Sequence, residues 1–220
     1  MAESWRDLAV ARSLDPARAR AEKRVQRFLD AALELMTESP DKEFTVQEVV
    51  ERSGQSLRSF YQYFAGKYEL MLALFEEAIR TTAAQLEDLV ADEQDPTERL
   101  HRFAVEYYKV CHPSPKTNKL KKAAPAPVLA EFGQELLTAH PKEASHAFVP
   151  MVTLFEGLLD DAARAGGLRK GLDHRHIAGI VLQAIMFHTF ANVISATPSN
   201  TDVDKAAQEL WDLLLIGLAL

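Results

Sequence analysis

The sequence predicts an all-α fold, and three observations predict it. Apolar residues recur at three- and four-residue steps nearly throughout the 220 residues, which places them along one side of successive helices. No segment shows the apolar–polar alternation of a half-buried strand, and no internal repeat is present. Proline and glycine fall largely between the periodic segments, where they stop helices. Hydrophobic residues make up 47% of the chain and charged residues 26%, the profile of a folded globular protein.

Each helix has its own signature. Val25, Phe28, Leu29, Ala32, Leu33 and Met36 form one apolar stripe, and Pro40 ends that first helix near Ser39 by disfavouring helical backbone in the preceding residue. Thr45 opens a short helix over 45–52, with Val46, Val49 and Val50 inward and Gln47, Glu48 and Glu51 towards solvent; Ser53-Gly54 stops it. Ser56 opens another over 56–64. A long helix over 67–91 follows Ala65-Gly66, with Leu70, Leu74, Ala78 and Ile79 on its inner side. Pro96 fits the first turn of a helix over 96–111. The Pro- and Lys-rich stretch 113–127 reads as irregular, and further helices are expected over 128–139, 142–165, 173–196 and 202–218. Gly166-Gly167 suits a helix stop and Asp173 an N-cap.

Composition removes several classes. No run of about 18 uninterrupted apolar residues exists, which argues against a membrane span; the longest apolar stretch, 177–194, contains Gln183, His188, Thr189 and Asn192. The N-terminus lacks a basic-then-apolar leader, so a cytoplasmic location is expected. A lone cysteine, Cys111, excludes an internal disulfide and a multi-thiolate metal site; a buried, inert thiol is preferred to a redox sensor. Neither a Gly-x-Ser-x-Gly, a dinucleotide-binding Gly-x-Gly-x-x-Gly nor a P-loop is present, so no enzyme is expected, and no cofactor. His174 and His176 are two residues apart on a helix and diverge, so no metal site is expected either.

The net charge of −7 does not settle the question of nucleic acid, because charge distribution matters more than its sum. Residues 18–28 carry Arg18, Arg20, Lys23, Arg24 and Arg27 against Glu22 alone. That stretch reads either as the solvated face of the first helix or as an arm that follows phosphates.

The informative segment is 44–64. Two short helices joined by a tight glycine-containing turn are what a helix-turn-helix requires. Leu57, Phe60 and Phe64 fall at i, i+3 and i+7 and define a buried face, while Arg58, Ser59 and Gln62 lie opposite. In a major groove arginine pairs with guanine and glutamine with adenine. Tyr61, Tyr63 and Lys67 carry groups suited to phosphate oxygens. The DNA-binding set is therefore Thr45, Gln55, Ser56, Arg58, Ser59, Tyr61, Gln62, Tyr63 and Lys67.

These residues resemble the N-terminal signature of TetR-family transcriptional regulators. In that family a Thr opens the second helix, an Ala-Gly turn follows, and the third reads Ser-x-Gly-Thr-Leu-Tyr-x-Tyr-Phe with a Lys three residues on. The corresponding positions here are Thr45, Ser53-Gly54, Ser56 to Phe64 and Lys67, and the likeness extends over about 25–74. Gln55 replaces a usually apolar residue, and Arg58-Ser59 stands where Gly-Thr is common. A looser similarity links 167–173 to the loop that precedes the dimerisation helices of many members. The resemblance implies an N-terminal three-helix DNA-binding domain and a C-terminal helical domain for ligand binding and dimerisation. The expected division is 1–17 as a disordered extension, 18–66 as the DNA-binding domain, and 67–220 as the second domain.

Helices over 173–196 and 202–218 are apolar on more than one face, at Ile177, Ile180, Val181, Leu182, Ile185, Met186, Phe187 and Phe190 in the first. Packing them against a symmetry mate in a four-helix bundle covers the excess and yields a homodimer. The resemblance further implies an internal effector pocket, with wall material in Phe103, Tyr107, Tyr108, Cys111, Phe132, Phe148, Met151, Phe155, Met186, Phe187 and Phe190, and polar contacts from His101 and His188. A mostly apolar cavity with few polar anchors suits a lipid-like or aromatic effector. Lys116, Lys119, Lys121 and Lys122 are read as a solvated loop, with coenzyme A phosphate recognition as the less favoured reading. The expected function is a repressor released from a palindromic DNA operator by that effector; the alternative is a helical adaptor or small-molecule-binding protein without sequence-specific DNA binding.

Overall fold

The protein is described by a computed structural model over residues 5–39, 42–111, 127–194 and 202–218. Its helices are α1 (Trp5–Glu38), α2 (Val46–Ser53), α3 (Leu57–Tyr63), α4 (Lys67–Val90), α5 (Pro96–Cys111), α6 (Pro127–Ala139), α7 (Pro141–Ala147), α8 (Val149–Arg164), α9 (His174–Ile194) and α10 (Val203–Leu218). Among the described residues there is no strand, and no helix is long and apolar enough to cross a membrane. The chain divides into two compact units, Met1–Leu74 and Phe75–Leu220.

In the N-terminal unit, local chemistry sets each helix end. Thr45 sits in extended backbone and accepts the Glu48 amide at 3.2 Å, while the Thr45 amide donates to Glu48 Oε2 at 2.7 Å. This reciprocal pair satisfies two amides that the first turn leaves without partners. Hydrogen bonds from the Thr45 amide, then from the Thr45 hydroxyl at 2.9 Å and from Lys42 at 3.2 Å, hold the Glu48 carboxyl below its ordinary pKa. Gly54 ends α2 at φ +64°, a left-handed conformation that residues with a Cβ adopt only at a cost. Ser56 then caps α3 by accepting the Ser59 amide at 3.1 Å. The Ala65 amide donates to Glu69 Oε2 at 2.7 Å, closing the start of α4. Arg52 grips Glu38 through two bonds at 2.7 and 2.8 Å and reaches Glu34 at 3.4 Å, joining α2 to α1.

The core of this unit is aromatic. Phe28 on α1 meets Phe60 edge-on at 5.4 Å and Phe64 at 6.1 Å, and Phe60 meets Phe64 at 5.4 Å. Phe28 and Phe60 are fully buried, as are Ala32, Met36 and Val49. The expected stripe of α1 needs one correction, because Leu33 is 44% exposed.

Two boundaries differ from expectation. The segment expected to be a disordered extension over 1–17 is instead helical from Trp5, α1 running through Pro16 without a break. The division of the chain falls after Leu74 rather than after residue 66, because the first two turns of α4 carry Leu70, Met71 and Leu74, all buried, and these turns group with the N-terminal unit.

In the C-terminal unit α5, α8, α9 and α10 enclose one cluster. Phe103 stacks on Phe155 at 5.0 Å and on Tyr107 at 6.0 Å, and Tyr107 donates its hydroxyl to the Leu182 carbonyl at 3.3 Å. Burial pushes that hydroxyl well above the ordinary tyrosine pKa. A second cluster sets Phe75 of α4 against Phe132 of α6 and Phe148. The helix expected over 142–165 is two helices that meet at Phe148. Pro150 lacks an amide and its ring conflicts with the carbonyl four residues back, so a new helix starts there. Gly167 lies against α5: a Cβ there would stand 2.5 Å from Thr97 Oγ1.

Truncating Phe28 removes the ring on which both α3 aromatics rest. Phe28→Ala is expected to destabilise the N-terminal unit by about 3–5 kcal/mol, read by urea unfolding followed through a probe in that unit; a loss below about 1 kcal/mol contradicts this packing.

Candidate nucleic-acid interface and apolar groove

The two faces of α3 are chemically distinct. Ser59, Phe60, Tyr63 and Phe64 turn inward, Phe60 fully and Ser59 and Tyr63 by half. Leu57, Arg58, Tyr61 and Gln62 form the exposed face, with Leu57 at 43% and Tyr61 at 57% exposure. A short helix held by its aromatic side and presenting a guanidinium, an amide, a phenol and an isobutyl group outward has the donors, acceptors and apolar surface that major-groove base edges require.

Several predicted DNA-binding residues prove to have structural duties. Ser59 was expected on the outer face, but its Oγ is buried and has no hydrogen-bond partner among the described residues. Gln55 donates its side-chain amide to the Arg24 carbonyl at 2.8 Å and so ties α1 to the turn. Thr45 and Ser56 serve as caps. Lys67 lies 2.8 Å from Glu43 Oε2 and 5.0 Å from the centre of the Phe44 ring, and the Lys67 hydrogen bond holds the Glu43 carboxyl below its ordinary pKa. Conversely, Leu57 was read as buried core. It occupies the first position of α3 and is exposed, which only the tertiary packing reveals.

The predicted pocket residues do not converge on one cavity. Phe103, Tyr107, Cys111, Phe132, Met151, Phe155 and Met186 are buried core, and Tyr108 is half-buried beside it. His101 faces α10, 4.8 Å from the Trp211 ring and 3.1 Å from Gln208 Oε1. His188 is exposed, and the side chain of Phe190 and the lysines at 116–122 lie outside the described residues. Phe148 and Phe187 do line a common space, an open groove of about 780 Å³ between α6, α7 and α8 on one side and α9 on the other. Leu137, Val149, Val152, Ile180 and Ala184 supply its apolar surface, and Arg175 and Gln183 its polar edge. These residues escaped the sequence reading because each sits on a helix whose other face is core.

His174 and His176 separate as expected: His174 Nδ1 lies 2.6 Å from Asp160 Oδ1, while His176 is exposed. Among the described residues no group of three potential metal ligands gathers.

Among the described residues the chain is helical, with an N-terminal helix-turn-helix and a separate helical C-terminal unit. Residues 28–74 match the family of bacterial regulatory proteins, tetR family. The fatty acid metabolism regulator protein of Bacillus subtilis (strain 168) is 18% identical over 198 residues, 87% of this chain and 94% of that one. The crystal structure of the regulator FadR from Bacillus subtilis in complex with stearoyl-CoA aligns with a TM-score of 0.63 at 17% identity, covering 87% of this chain and 98% of that chain. A TetR-family regulator from Pectobacterium atrosepticum aligns with a TM-score of 0.66 at 17% identity, covering 92% and 97%. The structural likenesses show a shared fold over nearly the whole chain.

The Lys67–Glu43 pair competes with any phosphate that approaches Lys67. Glu43→Gln is therefore expected to raise duplex affinity by up to about fivefold and to steepen its salt dependence by about one unit of log Kd per log salt, read by fluorescence anisotropy. An unchanged slope means that Lys67 does not turn to DNA.

Proposed function

We propose that the protein is a homodimeric transcriptional repressor that holds a near-palindromic operator through α3 and releases it when an apolar, acyl-bearing effector binds the C-terminal unit. The observation that carries the reading is the outer face of α3: Arg58 and Gln62 one turn apart, with Leu57 and Tyr61 beside them. Arg58 pairs with a guanine edge and Gln62 with an adenine edge, while Leu57 offers apolar contact to a thymine methyl. Tyr61 and the ammonium of Lys67 take phosphate oxygens.

The dimer rests on an uncovered apolar stripe. Ile180, Ala184 and Phe187 recur along one side of α9, with Ile180 54% and Phe187 49% exposed, and Leu213 of α10 is 68% exposed. Exposed apolar surface of this kind is covered in a stable protein, and a two-fold axis covers it with a copy of itself. Two reading helices about 34–36 Å apart then meet successive major grooves.

The acyl effector draws its support from the relatives, a fatty acid metabolism regulator and a regulator in complex with stearoyl-CoA, together with the apolar character of the C-terminal unit. α4 is continuous across both units, so a shift at its C-terminal end reaches the turn that follows α3. A coupling of about 1–3 kcal/mol changes DNA affinity by several-fold to about a hundredfold.

Selection of bound fragments from random duplex DNA tests the reading directly. It is expected to yield a two-fold symmetric sequence; recovery of no preferred sequence would falsify the operator. On the selected duplex, Arg58→Ala is expected to cost about 1–3 kcal/mol and to relax preference at one base pair of each half-site. Ile180→Lys combined with Phe187→Glu is expected to sediment as a monomer and to lose tight operator binding; a dimer that survives places the interface elsewhere. Stearoyl-CoA and stearate are expected to weaken the complex, and no response to either removes the acyl effector.

A further inference from the structure

The stretch matched by the family begins at residue 28, whereas α1 begins at Trp5. The upstream turns carry a feature that the reading head does not use. Arg20, Lys23, Arg24 and Arg27 recur at i, i+3, i+4 and i+7 and so share one side of the helix. All four are exposed, and no ion pair holds them among the described residues. Arg18, which does pair with Glu22 at 2.8 Å, lies off this side. Further along α1, Phe28, Ala31, Ala32 and Met36 enter the core, whereas the four basic residues before them stay in solvent.

Four like charges at this spacing repel one another and disfavour the isolated helix. A polyanion that runs alongside relieves that repulsion by replacing condensed counterions. The structure also fixes where these charges stand. The Gln55 side-chain amide donates to the Arg24 carbonyl at 2.8 Å, and Gln55 immediately precedes Ser56, the N-cap of α3. One hydrogen bond therefore holds the basic turns of α1 beside the entrance of the reading helix. Where the N-terminal end of a helix enters a major groove, elements flanking that end meet the sugar-phosphate backbone at the groove's edge.

We propose that the Arg20–Arg27 side of α1 is a second duplex-contacting surface, which binds the DNA backbone beside the base pairs that α3 reads. It rests on the reading of α3 as the DNA-binding helix and adds to it a sequence-independent electrostatic contact. The occupant is a nucleic-acid backbone rather than a bilayer, because between residues 15 and 31 this side presents no bulky apolar group to insert into lipid. Its contribution is to affinity and salt dependence, since phosphate contacts carry no base information.

The test uses the full-length protein, a selected operator duplex and a mixed-sequence duplex of equal length, titrated by anisotropy from low to moderate KCl. The variant Arg20→Gln/Lys23→Gln/Arg24→Gln/Arg27→Gln is compared with Arg102→Gln/Lys142→Gln/Arg169→Gln/Lys170→Gln. The second set removes as many charges from exposed positions of the C-terminal unit. The α1 variant is expected to lose up to about 3.6 units of log–log salt slope per bound protomer, about 0.9 for each phosphate contact removed, and to keep its preference for the operator over mixed sequence. The control set is expected to keep the wild-type slope. Should the quadruple variant lose helicity, Arg24→Gln alone is expected to lose about one unit. A wild-type slope in the α1 variants, or an equal loss in the control set, overturns the proposal. So does binding to phosphatidylserine vesicles that needs these four residues while DNA binding does not. Failure of the wild type to bind either duplex sinks the reading of α3 itself, a distinguishable result.

Discussion

The arrangement of the N-terminal unit depends on one contact, the seating of Phe60 and Phe64 against Phe28. α3 is only seven residues long, too short to persist in water by its own hydrogen bonds. It is helical because two aromatic rings on one side are withdrawn into a core whose opposite wall is α1. The same anchoring decides function, since every residue not drawn inward is presented outward in a fixed order. Leu57, Arg58, Tyr61 and Gln62 are available to a partner because Phe60 and Phe64 are not.

Around this contact, polar side chains divide between holding the head together and standing exposed to solvent. Thr45, Ser56, Gln55 and Arg52 spend their hydrogen-bonding capacity within the protein, on helix caps, on the Arg24 carbonyl and on Glu38. Lys67 stands between the two groups, paired with an exposed carboxylate that a phosphate can displace. A polar residue in a recognition motif thus has two possible uses. The difference between them is whether an unsatisfied backbone group lies within its reach.

The C-terminal unit separates packing from exposure more sharply than its composition suggests. Most of its described aromatic residues fall into two buried clusters, one around Phe103 and Phe155 and one around Phe75 and Phe148. The open groove takes only Phe148 and Phe187 from the described aromatic rings and is otherwise bordered by aliphatic, small and polar residues of α6 to α9. That groove and the exposed stripe on α9 share Ile180, Ala184 and Phe187, so on the proposed reading a partner protomer closes part of the groove's wall.

The sequence by itself determined the helical class, the helix-turn-helix with its caps at Thr45 and Ser56, the stop at Gly54, and the aromatic anchors Phe60 and Phe64. All of these follow from near-neighbour chemistry: capping, periodicity and the left-handed freedom of glycine act within a few residues. Only the tertiary structure decided that Ser59 turns inward and Leu57 outward, that Gln55 braces α1, that Lys67 pairs with Glu43, and that Pro150 divides one expected helix into two. The predicted pocket residues scattered for the same reason. Whether an apolar residue lines a cavity or fills a core depends on which distant helix covers it, and periodicity within one helix carries no information about its neighbours.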